Sequence, residues 1–261
     1  MGDDIDGCRT TSSVVHRYRF EQWAVRCYVA IRSALCPFAA IVPFVPLEGS
    51  VIDLGSGVGY FALLMALESP SRHVLGVDWD AVRVATAQRV ANGLPNARFE
   101  AGDIADAAWW SRIDTGSVQA VTCIDLLYLM PIAAQEIVLS QVSRVLAPGG
   151  VVLVKWMRRH PRWKWHWYRW QERLAVEVMR LTKGRGLWFD SADDLMKLLA
   201  SGWSQQIVDL GKGFAYPHEL LVLRKEKERC LAASDNGTGV VEANEKMTIS
   251  QRHVTLVRGA E

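Results

Sequence analysis

Net charge is almost absent from this chain. Thirty Lys and Arg oppose twenty-eight Asp and Glu over 261 residues, leaving +2, so no bulk attraction to nucleic acid is predicted. Cysteine is scarce and unpaired. The five, at 8, 27, 36, 123 and 230, form no C-x-x-C and accompany no paired histidine spacing. That argues against a disulfide framework or a zinc site, and for a reduced cytoplasmic compartment with no bound metal. The N-terminus, Met-Gly-Asp-Asp-Ile-Asp, lacks the basic-then-apolar order of a signal peptide. An uninterrupted apolar span is missing too. Residues 24–47 come nearest, but Arg26, Arg32 and three prolines break them, which speaks against a membrane crossing. No G-x-x-x-x-G-K-[ST] occurs, so a nucleoside triphosphate site is disfavoured.

What is present is apolar material and a glycine bend. Half the residues are hydrophobic, enough to bury both faces of a sheet. The segment Val51-Ile-Asp-Leu-Gly-Ser-Gly-Val-Gly-Tyr60 is a short apolar run, an acid, three glycines spaced G-x-G-x-G, and an aromatic leading into a helical stretch. A strand passing to a helix through such a bend brings bare backbone against a ligand. A second acid, Asp78, closes the next apolar run, at the distance expected of a ribose-hydroxyl acceptor in a βαβ nucleotide site. A dinucleotide fold reads G-x-G-x-x-G and opens a helix onto a pyrophosphate. Here the spacing is tighter, and Asp53 would repel a pyrophosphate but pair with an ammonium. A ligand with an adenosine ribose, a positive amino-acid end and no phosphate fits best. S-adenosylmethionine is such a ligand.

The remaining pattern is a βα alternation, which predicts a doubly wound, mostly parallel sheet with helices on both faces. Strands are expected at 51–54, 73–78, 97–101, 118–124 and 150–156, with helices at 58–68, 80–92, 104–112 and 131–146 between them. Gln206–Leu210 and Glu219–Arg224 read as the last two strands. Residues 1–13 are polar and read as loose. From His16 to Leu35 the apolar positions Phe20, Trp23, Ala24, Cys27, Ile31 and Leu35 recur at helical intervals, giving one or two helices before the sheet. Three parts follow: an N-terminal helical extension (1–47), a cofactor domain (48–225) carrying a helical insertion (155–190), and a polar, flexible tail (226–261) with a weak strand signal at 252–257.

Five segments in order resemble the class I S-adenosylmethionine-dependent methyltransferases, from about Val51 to Lys225. The bend, with Asp53, Gly55, Ser56, Gly57, Gly59 and Tyr60, is similar to that family's first motif. Asp78 matches the acid that holds both ribose hydroxyls, and Trp79 follows it, either covering the adenine edge or packing on the neighbouring helix. Arg98-Phe-Glu-Ala-Gly-Asp-Ile104 resembles the segment whose acid, here Asp103, meets the adenine amino group while the next residue, Ile104, flanks the ring. Val121–Pro131 resembles the fourth-strand end that faces sulfonium and substrate, which places Asp125, Leu126 and Tyr128 there. Val145–Leu153 resembles the turn and strand that follow. The resemblance implies a seven-stranded Rossmann-like sheet ending in an antiparallel hairpin, and methyl transfer to a small-molecule or lipid-like acceptor at O, N or C. No N-P-P-[YF] is present, which disfavours the branch methylating amide or purine nitrogens.

The stretch Lys155–Trp170 is crowded with Trp, Arg and Lys. Pro161 can open a helix there, and Trp163, Trp167, Trp170, Leu174, Val178 and Leu181 share one face of it. Three readings stay open: a cover packed on the domain, a pocket for a flat apolar or anionic substrate using Trp156, Trp163 and Trp167, or a peripheral helix in a membrane interface. His160 and His166 are the general-base candidates, since imidazole titrates near neutrality; a solvated surface histidine is the alternative for each. A non-catalytic cofactor-binding or membrane-surface protein on the same scaffold is the competing function. Oligomeric state is not legible.

Overall fold

Strand positions of both parities are apolar, so the sheet needs cover on both faces. The computed structural model, which describes residues 3–157, Leu195, 202–211 and 218–226, shows that cover. Helices α1 (Asp3–Arg17), α2 (Trp23–Leu35) and α3 (Phe38–Ile41) precede the sheet. Strands β1 (Gly49–Leu54), β2 (Arg72–Asp78), β3 (Ala97–Ala101), β4 (Val118–Ile124) and β5 (Leu146–Met157) then alternate with α4 (Tyr60–Glu68), α5 (Ala81–Val90), α6 (Ala107–Trp110) and α7 (Ile132–Val145). Strands β6 (Trp203–Asp209) and β7 (His218–Lys225) complete the order β3-β2-β1-β4-β5-β7-β6. The first five pair in parallel, while β7 runs antiparallel to both β5 and β6. The expected architecture and edge hairpin are both present.

Alternate strand residues feed two cores. Val51, Val74, Ala120, Val151, Leu153, Leu220 and Val222 join α4 and the N-terminal helices, whereas Ile52, Leu54, Val121, Val152, Val154, Leu221 and Leu223 join α7. Helix α4 is buried at every position from Tyr60 to Ala66. A helix apolar all round needs a second cover besides the sheet, and the N-terminal extension supplies it. The Phe38 ring lies 5.1 Å from Tyr60 and 5.3 Å from Phe61, and Tyr18 OH donates to the Val58 carbonyl at 2.8 Å.

Three expectations are corrected. Residues 3–13, read as loose, are helical in α1; Val14 and Tyr18, both buried, anchor its end, a tertiary contact that overrides the polar local sequence. The stripe Phe20, Trp23, Cys27, Ile31 and Leu35 does not face the protein but is exposed. Helix α2 instead turns Val29 and Arg32 inward, because Arg32 has an ionic partner in the sheet. Finally, the strand expected at 150–156 is present and runs to Met157, so 155–157 do not belong to the insertion expected from 155. Strand parity places Lys155 on the face of Val151 and Leu153, and Trp156 on the opposite one, where it is 3% exposed in the second core. The rest of the proposed insertion, with Trp163, Trp167, His160 and His166, lies outside the described residues, as does the tail beyond Glu226.

Candidate cofactor and methyl-transfer site

The carboxyl ends of β1 to β5 converge on the glycine bend. Gly55 and Gly57 have φ of +70° and +57°, values that side chains rarely adopt. A Cβ on Gly55 would lie 2.9 Å from Leu126 Cδ1, so glycine is needed there for close approach. At Gly57 a Cβ would meet nothing within 4 Å. The bend there opens onto space, a cradle that a side chain would fill. Beside it Ser56 Oγ is buried without a hydrogen-bond partner among the described residues. Gly59 caps α4 and Tyr60 begins it, buried against Phe38.

Asp53 is 2% exposed and accepts from Thr122 Oγ1 at 2.6 Å. Burial pushes its carboxyl up to about 7, against the opposing pull of the Thr122 hydrogen bond. A cation arriving beside it would restore the ionised form. Asp78 clamps the bend to β2: its Oδ2 accepts from Gly57 N–H and its Oδ1 from Asp80 N–H, each at 2.9 Å. A carboxylate has about four lone-pair sites, so two hydroxyls can still be served. Trp79 is 41% exposed next to it.

On the next strand end, Asp103 is exposed and its Oδ1 accepts from Ala105 N–H at 3.0 Å, capping its own loop. Ile104 is buried in the second core, and its carbonyl accepts from Trp110 Nε1. Trp109 was not singled out by sequence. Its ring lies against Gly102, where a Cβ would come within 2.6 Å of the indole, and its Nε1 is buried without a hydrogen-bond partner among the described residues. The glycine immediately before an acid was the available signal.

The end of β4 differs most from expectation. Asp125 has φ of +55°, the one positive value at a non-glycine among the described residues. Its carboxylate is not left open for a cofactor. Lys155 Nζ donates to both oxygens at 2.7 and 2.8 Å, Arg32 NH1 to Oδ2 at 3.1 Å and Tyr128 OH to Oδ1 at 3.2 Å. Burial pushes this carboxyl up, but Lys155 and Arg32 outweigh it and hold it down at about 2. The reason is Lys155, fully buried on β5, whose ammonium needs a counter-ion. His218 joins from β7: burial and then Lys155 push its imidazole down to about 4, and its Nε2 meets the Leu35 carbonyl at 2.7 Å. A carbonyl only accepts, so Nε2 carries the proton. Lys155, Arg32 and His218 come from three distant segments, and no local pattern joined them. Leu126 packs on Gly55, while Tyr128 is buried beneath Asp125.

Residues 48–207 match the family model described as a methyltransferase domain. Trans-aconitate 2-methyltransferase of Paracidovorax citrulli (strain AAC00-1) is 32% identical over 125 residues, which are 46% of this chain and 44% of that protein. The chain thus spans less than half the length of the first curated relatives it matches. Among solved structures, an O-methyltransferase family protein from Burkholderia thailandensis superposes with a TM-score of 0.56 at 15% identity, covering 74% of this chain and 56% of that one. Geranyl diphosphate C-methyltransferase from Streptomyces coelicolor A3(2), solved with S-adenosyl-L-homocysteine, gives 0.51 at 15% identity, covering 72% and 80%. At such identities these structures carry the fold alone. The matched domain, the sheet order and the glycine bend between its acids agree: the chain belongs to the class I S-adenosylmethionine-dependent methyltransferase family.

Proposed function

We propose that this protein transfers a methyl group from S-adenosylmethionine to a small-molecule or lipid-like acceptor in a reducing, cytoplasmic compartment. The observation that carries the reading is the open cradle at Gly57, set between Asp53 and Asp78. Ser56 Oγ and Trp109 Nε1, both buried without partners among the described residues, fit a ligand with many acceptors. The relatives bearing the name trans-aconitate 2-methyltransferase support a small-molecule acceptor.

The cofactor supplies a methyl group already activated on a sulfonium. The protein's work is then alignment and exclusion of water, and alignment alone contributes roughly 7–11 kcal/mol to lowering a barrier. Asp78 keeps the bend in place and would hold the ribose end. Asp53 would hold the amino-acid end, its ionised form favoured by an ammonium beside it. Leu126, packed on Gly55, keeps the β4 side of the bend apolar. Neither Asp125, held at about 2, nor His218, held at about 4, is matched to proton removal at neutral pH. Within this cluster neither group serves as the base.

Thermal denaturation tests the cofactor. S-adenosylhomocysteine at about a hundred times its dissociation constant should stabilise the chain by ~2.7 kcal/mol, and NADH should not; the reverse result sinks the reading. Incubation with methyl-labelled cofactor and cell extract should mark a small molecule or lipid. Binding without any labelled product would favour the alternative, a non-catalytic cofactor-binding protein.

A further inference from the structure

Among the described residues, the cluster at the ends of β4, β5 and β7 carries more positive charge than its own acid neutralises. Arg32 and Lys155 face the single carboxylate of Asp125, and the imidazole beside them is neutral. Among the described residues one unit of charge is left over, in a setting where Lys155 is wholly buried and Asp125 nearly so. The surplus is at Arg32, whose side chain is 31% exposed. Its NH1 is committed to Asp125, while Nε and NH2 make no hydrogen bond among the described residues. Its guanidinium is further held 5.5 Å from the Phe38 ring centroid. An oriented fork with two open donors beside a buried ion pair is a site for a planar anion.

Position says which anion. The ribose acid stands on β2 and the bend on β1, whereas Asp125, Lys155 and His218 stand at β4, β5 and β7. From β2 to β5 is three strand steps, roughly 14 Å, on the far side of the bend from the adenosine. Asp125 is followed by Leu126, the side chain that lies on Gly55. We propose that Arg32, oriented by Asp125 and Phe38 and backed by Lys155, seats a single carboxylate of the methyl acceptor. One surplus charge matches one carboxylate and leaves a diphosphate uncompensated. A carboxylate is already ionised at neutral pH, which suits a site whose Asp125 and His218 do not serve as bases.

This rests on the cofactor reading above, so the test is run on the S-adenosylhomocysteine complex. Hexanoate, benzoate and succinate, each against its amide and against hexyl phosphate, are titrated by calorimetry into the wild-type protein, Arg32→Gln and Arg32→Lys. The carboxylates should bind and the amides should not. Arg32→Gln should weaken carboxylate binding roughly ten- to a hundredfold, with S-adenosylhomocysteine affinity unchanged. Arg32→Lys, which keeps the charge but not the fork, should fall between and serves if the glutamine variant does not fold. The inference is overturned by a wild-type complex indifferent to carboxylates, by equal carboxylate affinity in all three proteins, or by preference for hexyl phosphate. It is overturned too if Arg32→Gln loses S-adenosylhomocysteine affinity while keeping that for 5′-methylthioadenosine, which assigns Arg32 to the cofactor's own carboxylate. If S-adenosylhomocysteine fails to bind the wild type, it is the cofactor reading that fails.

Discussion

Two acids at neighbouring strand ends, Asp53 and the largely covered Asp125, have opposite electrostatics because of their neighbours. Asp53 has a hydroxyl for a partner and is pushed up to about 7; Asp125 has two cations and is held at about 2. Since the folded value of Asp53 exceeds its unfolded 3.8, the folded chain binds more protons, and stability falls as pH rises from 3.8 towards 7. Cofactor binding follows the opposite sign. A ligand whose ammonium lies beside Asp53 selects the ionised carboxylate, so S-adenosylhomocysteine affinity should rise with pH by up to about tenfold per unit below 7 and level off above. Asp53→Asn should flatten that profile in calorimetry between pH 5 and 8; an unchanged slope in the variant would falsify the assignment. Gly57→Val should abolish cofactor binding, by filling the cradle and by forcing a β-branched residue to φ of +57°, a strain of about 1–3 kcal/mol. Normal affinity in a folded Gly57→Val would place the ligand elsewhere.

Among the elements, β2 is fastened at both ends. Its first residue, Arg72, is 1% exposed and donates to the carbonyls of Val45, Pro46 and Met65 at 2.7 to 3.0 Å. Those bonds tie the segment before β1, and the end of α4, to the sheet at the edge opposite the bend. Arg72→Met should lower unfolding free energy by about 3 kcal/mol, since three buried carbonyls lose donors. Urea denaturation measures this, and S-adenosylhomocysteine affinity should stay within about twofold. A loss below 1 kcal/mol would mean that water replaces the guanidinium. The elements themselves were largely legible. Strand and helix positions followed from alternation and from the apolar runs, because a parallel sheet leaves that mark on every strand. Edges moved by a few residues, and β5, expected to Trp156, ends at Met157, so the insertion expected from 155 overlapped it.

Across the whole molecule, the N-terminal extension acts as a structural layer. It covers the outer face of α4 and delivers Arg32 to Asp125. Deleting residues 1–20 should therefore lower the urea midpoint and weaken S-adenosylhomocysteine binding together, because Tyr18 and its bond to the Val58 carbonyl go with it. Ending the chain after Glu228 should leave that affinity unchanged; a large drop would show that the tail contributes to the site. Calorimetry on each truncated protein decides both.

Fold class, family and the cofactor bend could be read from residues in order, since each motif lies within about ten neighbouring positions and short-range spacing dictates its backbone. The bend with Asp53 and Gly57, and the Asp78 that clamps it, were legible that way. The pairing of Asp125 with Lys155 and Arg32 could not be, nor could the outward turn of Trp23 and Ile31 on α2. Those depend on which surfaces meet across 30 to 93 positions of chain. A buried ammonium demands a carboxylate wherever folding places one, and hydrophobic periodicity carries no information about which face of a helix that demand will claim.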